Sequence, residues 1–375
     1  MPRRLFLSVG DLSAANYLWE ILREGFDRYE LVGITDEGLE SLGVRSVAKI
    51  SQISVVGLAE VLPKLLEIKR VFSRVVEELK ECDVLIACDA PGFNLRLIKE
   101  ARRLGVKRVI YFISPQVWAW KPKRAETIAK YSDHLIVILP FEIGFYRKYE
   151  GKDFKVHYVG HPLVDMVSPG VGEEEFRSVL GLSSGRIINL MPGSRWGEIR
   201  RHTPLLRGVL SQLLEEHKDL SFVLPTFEEF KEFLSESFDN LPVKILTAKD
   251  LERPAYSSMF HSELSLIASG TSSLEAAIAG NPHIVFYRVN PITYILAKLL
   301  VKVPYVSLPN LILKREVVPE MINTPPEEIA SQVKELLKSD RKRELMREEL
   351  TGVRELLGGS GSLQRLRELF LELTG

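Results

Sequence analysis

The sequence predicts an α/β protein of two doubly wound, Rossmann-like domains facing a cleft, followed by C-terminal helices. Three observations carry this. Apolar runs of strand length alternate with helix-length segments almost throughout: LFLSVG, DVLIACD, RVIYFIS, HLIVILP and VHYVG, then RIINLMPG, LSFVLP, VKIL, LSLIA and HIVFYR. Strands that are continuously apolar and joined by helices belong to parallel sheets covered on both faces. Between the two sets stands GHPLVDMVSPGVG, Gly160 to Gly172, rich in proline and glycine, and the strand-turn-helix pattern restarts at Arg186. Such a stretch reads as a domain boundary. Beyond Thr324 the sequence turns helical and charged, ending GSLQRLRELFLELTG. The expected division is 1–165, 173–355 and a C-terminal helix, 356–375, packing back on the first domain.

Composition bounds the function. With 375 residues, 45% of them hydrophobic, the chain can bury a large core and suits two domains. Lys+Arg and Asp+Glu both number 50, so no net field steers a polyanion, and nucleic acid is not expected as a partner. Cys82 and Cys88 are too far apart for a C-x-x-C site and form no disulfide pattern, which suits a reducing cytoplasm. The apolar part of MPRRLFLSVGD is too short for a signal peptide. The longest apolar region, Ile292 to Leu313, is broken by Lys298, Lys302 and Pro304, so the expectation is a cytoplasmic protein, soluble or peripheral on a membrane.

In doubly wound domains ligands bind beyond the C-terminal ends of the strands, so the polar residues there are the candidates. In IASGTSSLEAAIAGNPHIVFYR the strand LSLIA runs into a helix that stops at Gly280. The turn between them places four hydroxyls, on Ser269, Thr271, Ser272 and Ser273, around Gly270. First-turn N–H groups lack intrahelical partners and sit at the positive end of the helix dipole, which suits a phosphate. A Thr271 or Ser272 that merely caps the helix is the plainer alternative. Glu275, one turn in, is placed to take the hydroxyls of a ribose; a solvated or capping glutamate is the alternative.

A second such turn is NLMPGSRWGEIRRH, where Gly193 and Ser194 follow a strand and Arg195 precedes a helix expected to start near Gly197. The planar fork of an arginine can grip a diphosphate there. No Asp-x-Asp and no His/Cys/Asp cluster with metal spacing occurs, so Arg195, Arg288 and the helix N-termini are expected to stabilise a departing phosphate without metal or other cofactor.

In the first half LIACDAPGFNLRLIKEA ends a strand on Asp89 and enters a helix through Pro91 and Gly92. A carboxylate at such an apolar lip has a raised pKa and can act as a general base toward a hydroxyl; helix capping is its equal alternative. YFISPQVWAWKPKR sets Pro115, Gln116, Trp118 and Trp120 directly after another strand, and at least one tryptophan is expected in the core. His161 is the type of lone histidine that is usually structural. Val55 to Arg74 joins Leu58, Leu62, Leu65, Leu66 and Phe72 with Lys64, Lys69, Arg70 and Arg74, a face suited to a lipid or membrane interface, though most such helices face the core.

Together CDAPGFNLRL, YFISPQVWAWKPKR, ILPFEIGFY, YVGHPLVD, LMPGSRWGEI, SGTSSLEAAIAGNPHIVFYR and YVSLPNLI resemble the lipid-A-disaccharide synthases, inverting glycosyltransferases of the GT-B fold, over nearly the whole chain. The resemblance implies transfer from UDP-2,3-diacylglucosamine to 2,3-diacylglucosamine 1-phosphate through a β(1→6) bond, with release of UDP at the inner face of the cytoplasmic membrane. It implies that the C-terminal domain holds UDP and the N-terminal domain the acceptor lipid. Asp89 matches the family's proposed general base, Arg195 and Ser269 to Ser273 its diphosphate site, Glu275 its ribose carboxylate, and Asn310 a substrate-binding position. The family opens Gly-Glu-x-Ser-Gly-Asp where this chain reads GDLSAAN: Asp11 stands for the Glu, Ser13 is kept, and Ala14 and Ala15 replace Gly and Asp. Gly92 stands where the family often has Asp. Asp11 and Ser13 are accordingly carried over as acceptor-side contacts with Gln116. The competing readings are a UDP-N-acetylglucosamine 2-epimerase-like enzyme and a non-catalytic UDP-sugar or lipid-binding protein.

Overall fold

The computed structural model describes residues 3–53, 58–119, 121–289 and 303–375, with 58–64 described by backbone alone. The chain divides into two compact units, Met1–Asp165 with Leu357–Gly375, and Met166–Leu356.

The first unit is a parallel sheet of seven strands: β1 (Arg3–Val9), β2 (Tyr29–Thr35), β3 (Arg45–Lys49), β4 (Val84–Cys88), β5 (Arg108–Phe112), β6 (His134–Ile136) and β7 (Lys155–His157). Their spatial order is β3-β2-β1-β4-β5-β6-β7. The strand order reverses between β1 and β4, where Val9 lies opposite Cys88. Every side chain of β4 is buried, as continuous apolar character requires of a strand covered on both faces. The C-terminal helix Ser362–Thr374 belongs to this unit. The Asp165 carboxylate accepts from Gly361 N and Leu363 N, both at 2.8 Å, at the helix start. Phe370 meets Phe112 edge-on at 5.2 Å, and Arg367 donates to the carbonyls of Glu20 and Ile21 at the end of the helix Leu12–Leu22.

The second unit repeats the plan with six parallel strands: β8 (Arg186–Met191), β9 (Leu220–Pro225), β10 (Val243–Leu246), β11 (Leu264–Ala268), β12 (His283–Tyr287) and β13 (Glu320–Ile322), in the order β10-β9-β8-β11-β12-β13. The reversal falls between β8 and β11, with Met191 opposite Ile267. Residues 166–172 are fastened to this unit: Gly170 N donates to Ser257 Oγ at 3.0 Å and Arg253 to Ser168 Oγ at 2.8 Å. Among the described residues no helix is long and apolar enough to cross a membrane.

Candidate active site

Two strand exits meet at the reversal in the first unit. After β1, Gly10 lies so close to Ala90 that a Cβ on it would overlap the Cβ of Ala90. Glycine is the residue that permits such an approach. Asp11 follows and caps the helix Leu12–Leu22, its Oδ1 accepting from Ala14 N at 2.8 Å.

After β4 the chain makes a tight turn. Asp89 and Ala90 take φ of 45° and 41°, the left-handed region, at a cost of order 1–3 kcal/mol each. Pro91 disfavours the right-handed helical region for Ala90, and the helix Pro91–Leu104 is entered from a left-handed Ala90. Asn94, fully buried, holds the turn: its Nδ2 donates to the carbonyls of Cys88 (3.0 Å), Asp89 (3.0 Å) and Ser8 (3.1 Å), and its Oδ1 accepts from Ser8 Oγ at 2.6 Å. Tyr111 OH donates to the Asp89 carbonyl at 2.7 Å. Burial, then the charge of Asp11 and a hydrogen bond with its carboxyl, push Asp89 up to about 7, against the pull of Ala90 N–H and Arg124. A carboxyl so tuned exchanges a proton near neutrality.

Other expected residues of this unit fall out differently. Trp118 is a packing residue: it meets Phe141 edge-on at 5.3 Å and donates to the buried Glu142, whose carboxyl burial pushes up to about 8. Trp120 lies outside the described residues. Gln116 and Ser13 are exposed. His161 is buried, accepts from Leu163 N and stands edge-on to Tyr17; burial drives its pKa down to about 3, a structural histidine. Leu65 and Leu66 are 48% and 69% exposed. Phe72, expected at a lipid contact, instead packs edge-on against Phe93 at 5.3 Å beneath the Arg96 guanidinium, because it lies on the face the helix turns to its neighbour. The side chains of Leu58 and Leu62 lie outside the description.

In the second unit the exits of β8, β11 and β12 adjoin. Gly193 takes φ of 121°, and a Cβ there would run into the Glu198 side chain. Buried Glu198 organises the turn: it accepts from Ser194 N and from Tyr287 OH, each at 3.1 Å, and pairs with the half-exposed Arg195 at 3.5 Å. The helix starts at Trp196 with Arg195 as its cap residue. Buried His202 staples two exits together, its Nδ1 donating to the Pro192 carbonyl at 2.6 Å and its Nε2 accepting from Arg288 N at 3.1 Å. This pattern requires a neutral ring, and burial lowers its pKa accordingly.

Gly270 is the cap residue of the helix Thr271–Ile278, and no side chain caps that end. Thr271 and Ser272 therefore do not serve as caps. Ser273 is buried and its Oγ donates back to the Gly270 carbonyl at 2.8 Å, while Ser269 N is taken by the Phe286 carbonyl. Those two groups hold the turn. Glu275 receives Tyr256 OH at 3.2 Å; burial raises its pKa against that bond and one from Ser272. Asn310 is fully buried. Its Nδ2 donates to Val318 O and Glu320 Oε1, and its Oδ1 accepts from Val317 N and Val318 N, so its amide is wholly occupied in bracing 317–320. Among the described residues no group of three or more metal-ligating side chains is assembled.

Two doubly wound units with polar strand exits at each reversal have the plan of the GT-B fold. Solved structures agree on the fold: the calicheamicin glycosyltransferase CalG4 matches with a TM-score of 0.61 at 14% identity, covering 100% of this chain and 98% of that one. The UDP-GlcNAc 2-epimerase of Neisseria meningitidis, bound to UDP-GlcNAc, matches at 0.62 and 12% identity, covering 99% and 100%. The family model described as lipid-A-disaccharide synthetase matches residues 5–365, and the lipid-A-disaccharide synthase of Aquifex aeolicus (strain VF5) is 53% identical over 371 residues, 99% of each chain. The chain belongs to the lipid-A-disaccharide synthase family, glycosyltransferases of lipid A biosynthesis, and has that synthase activity.

Proposed function

We propose that the chain transfers the diacylglucosaminyl group of UDP-2,3-diacylglucosamine to the 6-hydroxyl of 2,3-diacylglucosamine 1-phosphate, inverting the anomeric centre. Asp89 takes the hydroxyl proton as oxygen attacks the anomeric carbon, and the bond to UDP breaks with its electrons leaving on the diphosphate. The second unit holds UDP: Gly193, Ser194, Arg195, the uncapped helix start at Gly270 to Ser272, and Arg288 neutralise the diphosphate, and Glu275 takes the ribose hydroxyls. Donors already in place cost no reorganisation as charge develops, so no metal is required.

The single observation that carries this is the Asp89 turn, strained, braced by Asn94 and tuned to about 7. Purified protein given both lipid substrates is expected to release UDP, with or without EDTA. Asp89→Ala is expected to abolish nearly all of it while leaving UDP affinity intact; a variant that turns over normally refutes the base assignment.

Asp11, Ser13 and Gln116 belong on the acceptor side. Leu65 and Leu66, exposed on a helix that also carries Lys69, Arg70 and Arg74, support peripheral contact with the inner face of the cytoplasmic membrane. Burial of acyl chain at about 0.8 kcal/mol per methylene makes such contact matter for both substrates.

A further inference from the structure

The register of the first sheet sets Val9 opposite Cys88, and one residue further Gly10 rests against Ala90 with room for a hydrogen only. The two exits therefore lie in direct contact. The next side chain on each, Asp11 and Asp89, meet through a hydrogen bond between their carboxyls. Two adjacent carboxylates repel when both are charged, and one proton shared between them removes the repulsion.

We propose that Asp11 and Asp89 form one proton-sharing carboxylate pair, in which Asp11 is the positioning member that sets how strongly Asp89 holds the proton it takes from the acceptor hydroxyl. The inference rests on the assignment of Asp89 as base. Asp11 accepts from Ala14 N at the positive end of the helix Leu12–Leu22, a place that favours negative charge. Asp89 is the member on the left-handed turn, and its carboxyl is the one that burial pushes up. The groups that face it are Asp11 from the β1 exit, Cys88 on β4, Tyr111 on β5, Arg124 on the helix Lys123–Tyr131 and Glu142. Among these only Arg124 is cationic, and its pull on Asp89 is weaker than the push of Asp11.

The step balances without a co-reactant. The acceptor O–H bond breaks and its proton passes to Asp89, shared with Asp11. The oxygen forms the bond to the anomeric carbon, and the electron pair of the broken bond departs on UDP. The pair then returns its proton to solvent.

The test is the pH profile of kcat/KM with both diacyl substrates, for the unaltered protein, Asp11→Asn, Asp11→Ser, Asp11→Glu and Asp89→Asn. The unaltered protein is expected to lose activity as pH falls through about 7. Asn or Ser at position 11 keeps a group able to cap the helix and removes the charge. Each is expected to move the acidic limb down by ~1 pH unit or more and to lower the plateau by about tenfold, because a weaker base is left. Asp11→Glu is expected to restore the limb. UDP affinity and melting temperature certify folding of each variant. An acidic limb unmoved in both Asp11→Asn and Asp11→Ser, with Asp89→Asn inactive, overturns the pair and leaves Asp89 as base; a fully active Asp89→Asn overturns the base itself.

Discussion

In the first unit the exits of β1 and β4 carry two carboxyls pressed together; in the second, the exits of β8 and β11 carry an arginine, turn amides and an uncapped helix start. The topological position is the same and the charge is opposite. The units also differ in how they treat a buried acid. Glu198 is surrounded by Ser194 N–H, Tyr287 OH and Arg195, so it holds its turn at rest. Asp89 is set beside a like group on left-handed backbone, an arrangement that costs stability. A satisfied carboxylate builds a binding surface, whereas a strained and crowded one is ready to take a proton.

Substitutions on either side can break that contrast. The largest effect is expected from Asp89→Asn, with turnover reduced ~10²–10⁴-fold and UDP affinity unchanged by calorimetry. Arg195→Ala should do the reverse, weakening UDP about 10–100-fold while the pH limb of turnover stays in place; unchanged UDP affinity would move the diphosphate elsewhere. Glu198→Ala leaves Ser194 N–H and Tyr287 OH without their acceptor and should lower the melting transition of the second unit by ~1–3 kcal/mol in stability.

The strain in the first unit has its own signature. The folded pKa of Asp89, about 7, lies above its ordinary 3.8, so between roughly pH 4 and 7 the folded state keeps a proton that the unfolded chain has lost. Stability therefore falls as pH rises through that window, and the full penalty stands above it. Asp89→Asn removes the penalty, so the inactive variant should be more stable than the native protein at pH 8 by ~1–3 kcal/mol, and no more stable at pH 4. Equal melting temperatures at pH 8 would show that the carboxyl is not crowded. The smallest change in stability is expected from Leu66→Ser, within ~0.5 kcal/mol because the side chain is exposed, together with weaker sedimentation with anionic lipid vesicles.

Much of this was legible along the chain. Continuous apolar strands announced two parallel sheets, and the polar residues after LSLIA, RIINLMPG and LIACD marked strand exits, since those patterns depend on neighbours in sequence. The residues that organise the exits were not legible. Glu198 reads as one more charge in WGEIRRH, yet its partner Tyr287 lies 89 positions away; His202 meets Arg288 across 86. Asn94, through Ser8 86 positions away, and Tyr256, through Glu275 on the next helix, likewise act through contacts that only folding creates. The same reason accounts for the partners of Asn310, Ser273, Ser269 N and Phe72: a polar or aromatic residue in a suggestive motif is met by whichever partner the fold brings to it.

Side-chain periodicity, turn residues and helix starts are short-range properties, so the chain alone dictated its α/β class, the reversal-point turns and Asp89 as a carboxyl at a strand end. Whether that carboxyl stands alone or beside Asp11 depended on the pairing of β1 with β4 and on a glycine that lets their exits touch. Proton affinity is set by what surrounds a group in space, and that was decided only when the sheet closed.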